Sequence, residues 1–448
     1  MKIIIAGAGD VGFHLAELLS YENQEIILID NNQDVLDYAA THLDVLTITG
    51  DSTSIAVLKD AQVASAKLFI AVTTSESTNL ITTILAKKMG AKQTIARVRN
   101  DEYLTSEHRE TFNQLGVDSV ISPRQLASKE IQRLIKKCSF TDIFDFEDGK
   151  ISLAGMTLNN SSPLLNMRLM DFPEMKTDLS LRPIAILRGH RTIIPRGNHV
   201  LRHNDHIYFI TNKSNIDRIE QFVGGNKPQK SVKKIMIIGG TGLAYETARL
   251  LENDYRVTLL EKNKERCKLL AANLHNTLVI HGKANDFDLM MEEGLEEMDA
   301  FIGLTDNSET NIIACLTAKN HGVYKTIAQV ENKEYTHISQ NIGVDTLINM
   351  KLIAANNIFR YVRKGRVEAI TSLHGVDAEV IEFVITKNNQ LTKKALKDLH
   401  FPETALIGGV IRGEDSLIPG GNFQLQLGDK VIVFTLPEGI AKVEKLFR

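Results

Sequence analysis

Lys2-Ile3-Ile4-Ile5-Ala6-Gly7-Ala8-Gly9-Asp10-Val11-Gly12 is the stretch on which the reading of this chain turns. A short, largely β-branched apolar run suits a parallel strand buried on both faces. The glycines follow at once, and residues 13–20 then carry Leu15, Leu18 and Leu19 at helical spacing. Strand, glycine turn and helix in that order are the phosphate-binding opening of a dinucleotide fold. Gly7 permits the tight turn, Gly9 lets the backbone approach a pyrophosphate, and Gly12 lets the helix pack on the sheet. The helix N-terminus offers unpaired N–H groups and a positive dipole end.

Further along, Glu25-Ile26-Ile27-Leu28-Ile29-Asp30 reads as the second strand. Asp30 closes it, where a carboxylate accepts from both ribose hydroxyls and repels a 2′-phosphate. The non-phosphorylated adenosine of NAD(H), ADP or ATP is favoured over NADP. Runs at residues 45–48, 68–72 and 94–98 alternate with helical segments. This alternation predicts a doubly wound parallel sheet. Thr73 and Thr74 are expected to end the fourth strand and border the crevice; the competing reading is that they cap a helix from about Ser77. Arg97 and Arg99 alternate along the fifth strand, either reaching phosphates or pairing at the surface.

The chain then repeats itself. The segment from Ile70 to Asn79 matches that from Ile302 to Asn311, an offset of 305 − 73 = 232 that also carries Gly7 onto Gly239. Arg188-Gly189 recurs as Arg412-Gly413, and Asn204-Asp205 faces Gly428-Asp429, with 429 − 205 = 224. The order is a large module, a small module, and both again. The fold class is therefore α/β: a duplicated Rossmann-like, doubly wound parallel sheet, each copy followed by a small α+β domain. The expected domains are 1–140 and 234–365 for the nucleotide-binding copies and 141–225 and 366–448 for the small ones. The polar, glycine-rich stretch Gly224-Gly225-Asn226-Lys227-Pro228-Gln229-Lys230 marks a linker, placed at 226–233.

In the second copy, Gly239-Gly240-Thr241-Gly242-Leu243-Ala244 replaces the second glycine with Thr241, which is expected to hold the backbone farther from a pyrophosphate. Glu261 keeps the ribose-binding acid. Gly50-Asp51 becomes Gly282-Lys283, and Arg97 becomes Gln329. The fold should survive with a different ligand preference.

Net charge is −3 over 448 residues, which gives no electrostatic case for nucleic acid. No apolar run approaches the roughly 20 residues that span a bilayer, and the apolar N-terminus is too short for a signal peptide. Cys138, Cys267 and Cys315 show no metal-ligand spacing, so a reducing cytosol is expected. His190, His199, His203 and His206 crowd together, but their counterparts are Glu414, Phe423, Leu427 and Lys430, so no metal site is expected. Neither small module offers a nucleophile–base pair common to both copies.

With the alternating modules, the Gly-Ala-Gly-Asp-Val-Gly turn, Asp30, the Ala71-Val72-Thr73 strand end and the Arg-Gly…Ile-Pro-Gly-Gly-Asn…Gly-Asp pattern, the chain resembles the TrkA type of bacterial and archaeal potassium-uptake subunit over essentially its whole length. Its modules resemble the regulator-of-potassium-conductance N- and C-terminal domains. The resemblance implies a regulatory subunit and not an enzyme. It implies binding of NAD(H) and of ATP or ADP, a homotetramer forming a ring of eight modules, and docking on the cytoplasmic face of a separate membrane channel subunit. By position it implies that Gly7, Ala8, Gly9, Asp10, Val11, Asp30, Thr73, Thr74 and Arg97 contact nucleotide, with Asp51 near the adenosine. The matching second-copy positions are Gly239, Gly240, Thr241, Gly242, Leu243, Glu261 and Thr305. The alternative is an NAD-dependent oxidoreductase, which needs a proton-transfer residue beside the nicotinamide. Which nucleotide is physiological, the sign of its effect, and a second-messenger site in the small domains stay open.

Overall fold

Ile3, Ile4 and Ile5 are fully buried, which is why their run shows no polar alternation. The structure is a computed structural model. It describes the chain apart from residues 21–23, 139, 147–148, 159–161, 172–180, 190, 213–214, 217–231, 333–334, 336–342, 364–369, 373–377 and 448. The glycine-rich stretch at 224–230, His190 and the second module junction near Gly365 therefore lie outside the described residues.

The first sheet contains β1 (Lys2–Ala6), β2 (Glu25–Asp30), β3 (Leu46–Thr49), β4 (Leu68–Ala71), β5 (Gln93–Arg97) and β6 (Ser119–Ile121), all parallel, in the order β3-β2-β1-β4-β5-β6. Between them run α1 (Asp10–Ser20), α2 (Gln33–His42), α3 (Ile55–Asp60), α4 (Glu76–Met89) and α5 (Ser106–Leu115), with α6 (Pro123–Lys136) after β6. The strand order reverses between β1 and β4, so a crevice opens at their carboxyl ends. Ile4 and Ala6, Ile27 and Ile29, and Phe69 and Ala71 turn one face of the sheet onto Leu58, Ala61 and Ala86. The period of two follows from the pleat.

Local details differ from the sequence reading. The first helix begins at Asp10, inside the glycine turn, and not at Phe13. β4 stops at Ala71, so Thr73 and Thr74 lie in the bend beyond it. Helix α4 starts at Glu76, and Ser75 caps it by accepting from Thr78 N at 3.2 Å.

The first small module is an antiparallel sheet of β7 (Asp142–Phe146), β8 (Ile151–Thr157), β9 (Leu181–Arg188), β10 (Arg191–Ile193) and β11 (His206–Asn212), ordered β10-β9-β11-β8-β7. The second large module repeats the six-strand parallel order. It has β12 (Lys234–Ile238), β13 (Arg256–Glu261), β14 (Thr277–His281), β15 (Ala300–Gly303), β16 (Lys325–Gln329) and β17 (Thr346–Ile348). Its helices are α7 (Gly242–Leu251), α8 (Lys264–Asn273), α9 (Phe287–Glu292), α10 (Ser308–Asn320) and, after β17, α11 (Met350–Arg363). The second small module has β18 (Ile370–Ser372), β19 (Glu379–Val384), β20 (Ala405–Arg412), β21 (Asp415–Leu417) and β22 (Lys430–Thr435), ordered β18-β19-β22-β20-β21.

The small modules pack together. Ile151, Ile184, Tyr208 and Ile210 of the first share a core with Val380, Ile411, Ile432 and Phe434 of the second. Ile184 meets Gly408, its own counterpart at the offset of 224. A Cβ on Gly408 would stand 3.2 Å from Ile184 Cγ2 and 3.2 Å from Ile210 Cδ1. Where like positions face each other, a large residue in one copy needs a small one in the other.

The repeated Arg-Gly and Gly-Asp motifs prove to be one buried device. Arg188 donates from Nε and Nη2 to Asp205, each at 2.7 Å, and Asp205 is fully buried. Arg412 and Asp429 repeat the arrangement at 2.8 Å. A two-pronged guanidinium satisfies a carboxylate that would otherwise be costly to bury.

By internal contacts the chain divides into two compact units that cut across the repeat. One comprises Met1–Glu130 with Asn349–Val362; the other comprises Ile131–Ile348 with Arg363–Arg448. Helix α11 thus follows the last strand of the second sheet but belongs to the unit of the first.

Candidate nucleotide-binding site

The first crevice is built on the β1–α1 turn. Gly7 has φ +104°, and a Cβ there would sit 2.8 Å from Thr73 N. A Cβ on Gly12 would lie 1.8 Å from Gly7 O, so only glycine lets α1 cross the turn at this distance. At Gly9 the outcome is opposite: an added Cβ meets nothing within 4 Å. Gly9 therefore answers to no neighbour among the described residues. It leaves a cradle at a helix N-terminus, which fits a phosphate group.

Asp30, partly buried at the end of β2, faces this turn. Its Oδ2 accepts from Ala8 N at 2.7 Å and its Oδ1 from Asn32 N at 3.0 Å. Each carboxylate oxygen keeps acceptor capacity for a ribose hydroxyl. Asp51, near the end of β3, accepts at Oδ1 from both N and Oγ1 of Thr53, each at 2.8 Å. The Thr53 backbone N–H, then its hydroxyl, holds this carboxyl below the usual range.

Arg97 ends β5 half-buried. Burial, then the nearby Arg99, draws its guanidinium below the ordinary arginine pKa. No carboxylate pairs with Arg97 among the described residues, so the surface ion pair considered from sequence is not what it makes. A partly desolvated cation that no described carboxylate neutralises suits an incoming phosphate.

The structure adds a residue that sequence reasoning missed. Asn79, buried on α4, accepts at Oδ1 from Thr73 N at 2.8 Å and Thr73 Oγ1 at 2.7 Å. Its Nδ2 donates to Thr73 O at 3.1 Å and to Arg97 O at 2.9 Å. One side chain thereby ties the ends of β4 and β5 at the crevice. Asn311 repeats all four bonds with Thr305 and Gln329 at 2.7–3.0 Å. The signal was the asparagine at the end of both matched segments. Thr73 and Thr305 have their hydroxyls committed to this clamp, whereas Thr74 is exposed.

Asp10, exposed at the first position of α1, receives Lys351 Nζ of α11 at 2.5 Å. Both residues lie in the first unit.

The second crevice is closed differently. Thr241 stands where Gly9 does in the first turn. It turns its hydroxyl inward, donating to Leu304 O at 2.9 Å and capping α7 by accepting from Ala244 N at 3.2 Å. Gly239 keeps the left-handed turn at φ +92°, Gly242 and the buried Leu243 begin α7, and Ala244 stands where Gly12 does. Glu261 is 6% exposed and accepts from Gly240 N at 2.5 Å and Asn263 N at 2.7 Å. A Cβ on Gly240 would lie 2.7 Å from Glu261 Oε2. The acid one methylene longer thus goes with the loss of the methyl group that Ala8 carries. Lys283 is exposed, and Gln329 is buried with its Oε1 unpartnered.

Among the described residues, no three His, Cys, Asp or Glu side chains form a metal cluster. His206 is buried between Thr141 Oγ1 at 3.2 Å and Thr157 Oγ1 at 2.9 Å. His199 Nδ1 accepts from Arg196 N. No described helix is long and apolar enough to cross a membrane.

Comparison with known proteins matches this architecture module by module. The TrkA-N domain model covers residues 3–123 and 235–350, and the TrkA-C domain model covers 153–224 and 380–448. The Trk system potassium uptake protein TrkA homolog of Archaeoglobus fulgidus is 32% identical over 453 residues, covering 100% of both chains. The Trk system potassium uptake protein TrkA of Halomonas elongata is also 32% identical, covering 100% of this chain and 99% of its own. Among solved structures, the GsuK channel superposes with a TM-score of 0.61 at 16% identity, over 99% of this chain and 78% of that one. The GsuK channel bound to NAD gives 0.60 at 17% identity, over 100% and 78%. Two TrkA-N domains alternating with two TrkA-C domains, with full-length relatives that share nearly a third of its residues, make this chain a member of the TrkA family of potassium-uptake proteins.

Proposed function

We propose that this chain is the nucleotide-sensing regulatory subunit of a potassium uptake system. It binds NAD(H), ATP or ADP. It assembles as a homotetramer and docks from the cytoplasm on a separate, Trk-type membrane subunit whose flux it gates. The observation that carries this reading is the first crevice. There the open cradle at Gly9 lies on the α1 N-terminus, whose turn is bonded to Asp30, and Arg97 has no carboxylate partner among the described residues. The proposed first site comprises Gly7, Ala8, Gly9, Asp10, Val11, Asp30, Thr73, Thr74 and Arg97, with Asp51 beside the adenosine. The proposed second comprises Gly239, Gly240, Thr241, Gly242, Leu243, Glu261 and Thr305. The NAD-bound GsuK channel, of like fold, supports this choice of ligand.

The side chains around the crevice favour binding over hydride transfer. Asn79 and Thr73 hold backbone, and Asp30 orders the turn. A ligand shifts a two-state assembly only by its differential affinity for the two states. The test reconstitutes the membrane subunit in liposomes with and without this protein and follows potassium flux as nucleotide is varied. Flux should depend on the protein and respond to nucleotide. Asp30→Ala should still bind the membrane subunit but lose most of the response. Steady NADH oxidation with a small substrate would support the oxidoreductase instead, and flux indifferent to the protein would refute the gating role.

A further inference from the structure

We propose that Gln329 makes the second crevice a site for nicotinamide dinucleotides, by pairing its side-chain amide with the carboxamide of the nicotinamide. The proposal rests on the nucleotide reading of that crevice and decides among the ligands it allows. Gln329 is the last residue of β16 and is 5% exposed. Its Oε1 is wholly enclosed, and neither end of the amide has a hydrogen-bond partner among the described residues. A buried amide oxygen left unpaired costs stability, which a donor on a ligand would recover. The backbone places this side chain. Asn311 Nδ2 donates to Gln329 O at 2.9 Å, which holds the end of β16 at the crevice. Ala328 packs with Ile238, Phe301 and Ile312 on the face that α10 covers, so the pleat turns Gln329 to the other face. From β12 to β13 and from β15 to β16 the chain steps in opposite directions across the sheet. Right-handed crossovers therefore put α7 and α10 on opposite faces. Gln329 thus lies on the face where the glycine turn enters α7.

Chemistry at that end of the crevice separates the ligands. Glu261 ends β13, three strand spacings or about 14 Å from β16. With an adenosine on Glu261 and a pyrophosphate on the turn, the second half of a dinucleotide crosses toward β15 and β16. The phosphate chain of ATP or ADP brings acceptors only, and none can meet Oε1. A carboxamide brings an N–H to Oε1 and a carbonyl to Nε2, and two primary amides remain complementary whichever way they turn. The repeat supplies the contrast. Arg97 and Arg99 of the first copy are matched by Gln329 and Glu331, so two cations give way to a neutral amide and an acid. The fold does not demand the exchange. Glu76 Oε2 accepts from Arg99 N at 2.8 Å, and Ser308 Oγ, in the same place, accepts from Glu331 N at 3.1 Å. Both loops are anchored alike, and what differs is the group offered to a ligand.

The experiment titrates the full chain in a calorimeter with NAD, its nicotinic acid analogue, in which a carboxylate replaces the carboxamide, and ATP. The Asp30→Ala background weakens the first site, so the binding that remains reports the second. There NAD should bind more tightly than ATP. It should also exceed the nicotinic acid analogue by roughly ten- to a hundredfold, because a carboxylate set against a buried acceptor leaves both unpaired. Adding Gln329→Leu should weaken NAD by a similar factor, leave ATP unchanged and bring the two dinucleotides to within about twofold. Gln329→Arg should reverse their order, since a guanidinium pairs with a carboxylate through two hydrogen bonds. Equal affinity for the two dinucleotides overturns the proposal, as does discrimination that survives Gln329→Leu or tighter binding of ATP than of NAD. If the wild type binds nucleotide and the Asp30→Ala background binds none, the proposal falls and the first site stands. Wild-type protein that binds none of the three overturns the nucleotide reading itself.

Discussion

Exchanging Asp30 for glutamate tests the crevice more sharply than deleting it. In the second copy the equivalent acid is Glu261, and it fits because position 240 has no side chain. A Cβ there would lie 2.7 Å from Glu261 Oε2, 2.9 Å from its Cγ and 2.9 Å from Leu270 Cδ1. In the first copy that methyl exists: Ala8 is 1% exposed, and the shorter Asp30 accepts from its N–H at 2.7 Å. Asp30→Glu should therefore drive a methylene against the Ala8 methyl, the kind of overpacking that costs about 1–3 kcal/mol. Because the strain falls on the turn that receives phosphate, first-site affinity should drop with stability. Ala8→Gly alone should cost about 0.5–1 kcal/mol through added backbone freedom. The double variant should recover most of the loss. The coupling between the two changes should be about 1–3 kcal/mol, or roughly 5- to 150-fold in affinity. Calorimetric titration of NADH into the four proteins of the cycle, with thermal unfolding alongside, measures it. If Asp30→Glu with Ala8→Gly binds no better than Asp30→Glu alone, the pairing of methyl and methylene is wrong.

Asn79→Ala strips four hydrogen bonds from the strand ends and leaves buried backbone groups unpaired. It should cost several kcal/mol, against about 1 kcal/mol for Thr73→Val, and equal shifts in thermal unfolding would contradict the clamp. Gly408→Ile should destabilise the paired small modules by about 1–3 kcal/mol, and Ile184→Gly in the same chain should restore part of it; a Gly408→Ile protein that unfolds with the wild type would show the interface to be loose. Gln329→Leu removes a buried carbonyl oxygen without a partner, so the ligand-free protein should unfold at the same or a higher temperature while the second site responds less to nucleotide. A large drop in the unfolding temperature without ligand would show that Gln329 has a structural partner.

Much of this was legible because it is local. β1 and β2 have the limits their sequences predict, since an apolar run ended by glycine or by an acid has few other fates. The repeat disclosed which positions correspond, but correspondence does not disclose burial. Asn79 and Asn311 stood at the end of the matched segments, yet only the folded chain brings them against the carbonyls of Arg97 and Gln329. The place of the Thr241 hydroxyl was hidden for a related reason. The sequence showed the loss of a glycine, but not that a helix cap and a nearby carbonyl would draw the hydroxyl inward. The transfer of α11 to the first unit was not legible at all, because its amphipathic pattern specifies a face to bury and not the sheet that will bury it.

That transfer bears on how the chain is made. Residues 349–362 complete a unit whose other residues end at Glu130, so more than two hundred residues must be synthesised between the two parts. A ribosome adding roughly 5–20 residues each second leaves the first sheet waiting ten seconds or more for its last helix. During that interval the surface α11 will cover is open to solvent, to chaperones and to the α11 of a neighbouring chain. Exchange of that helix between two nascent copies would satisfy the same contacts, so a tandem of this kind is poised between folding on itself and folding with its twin.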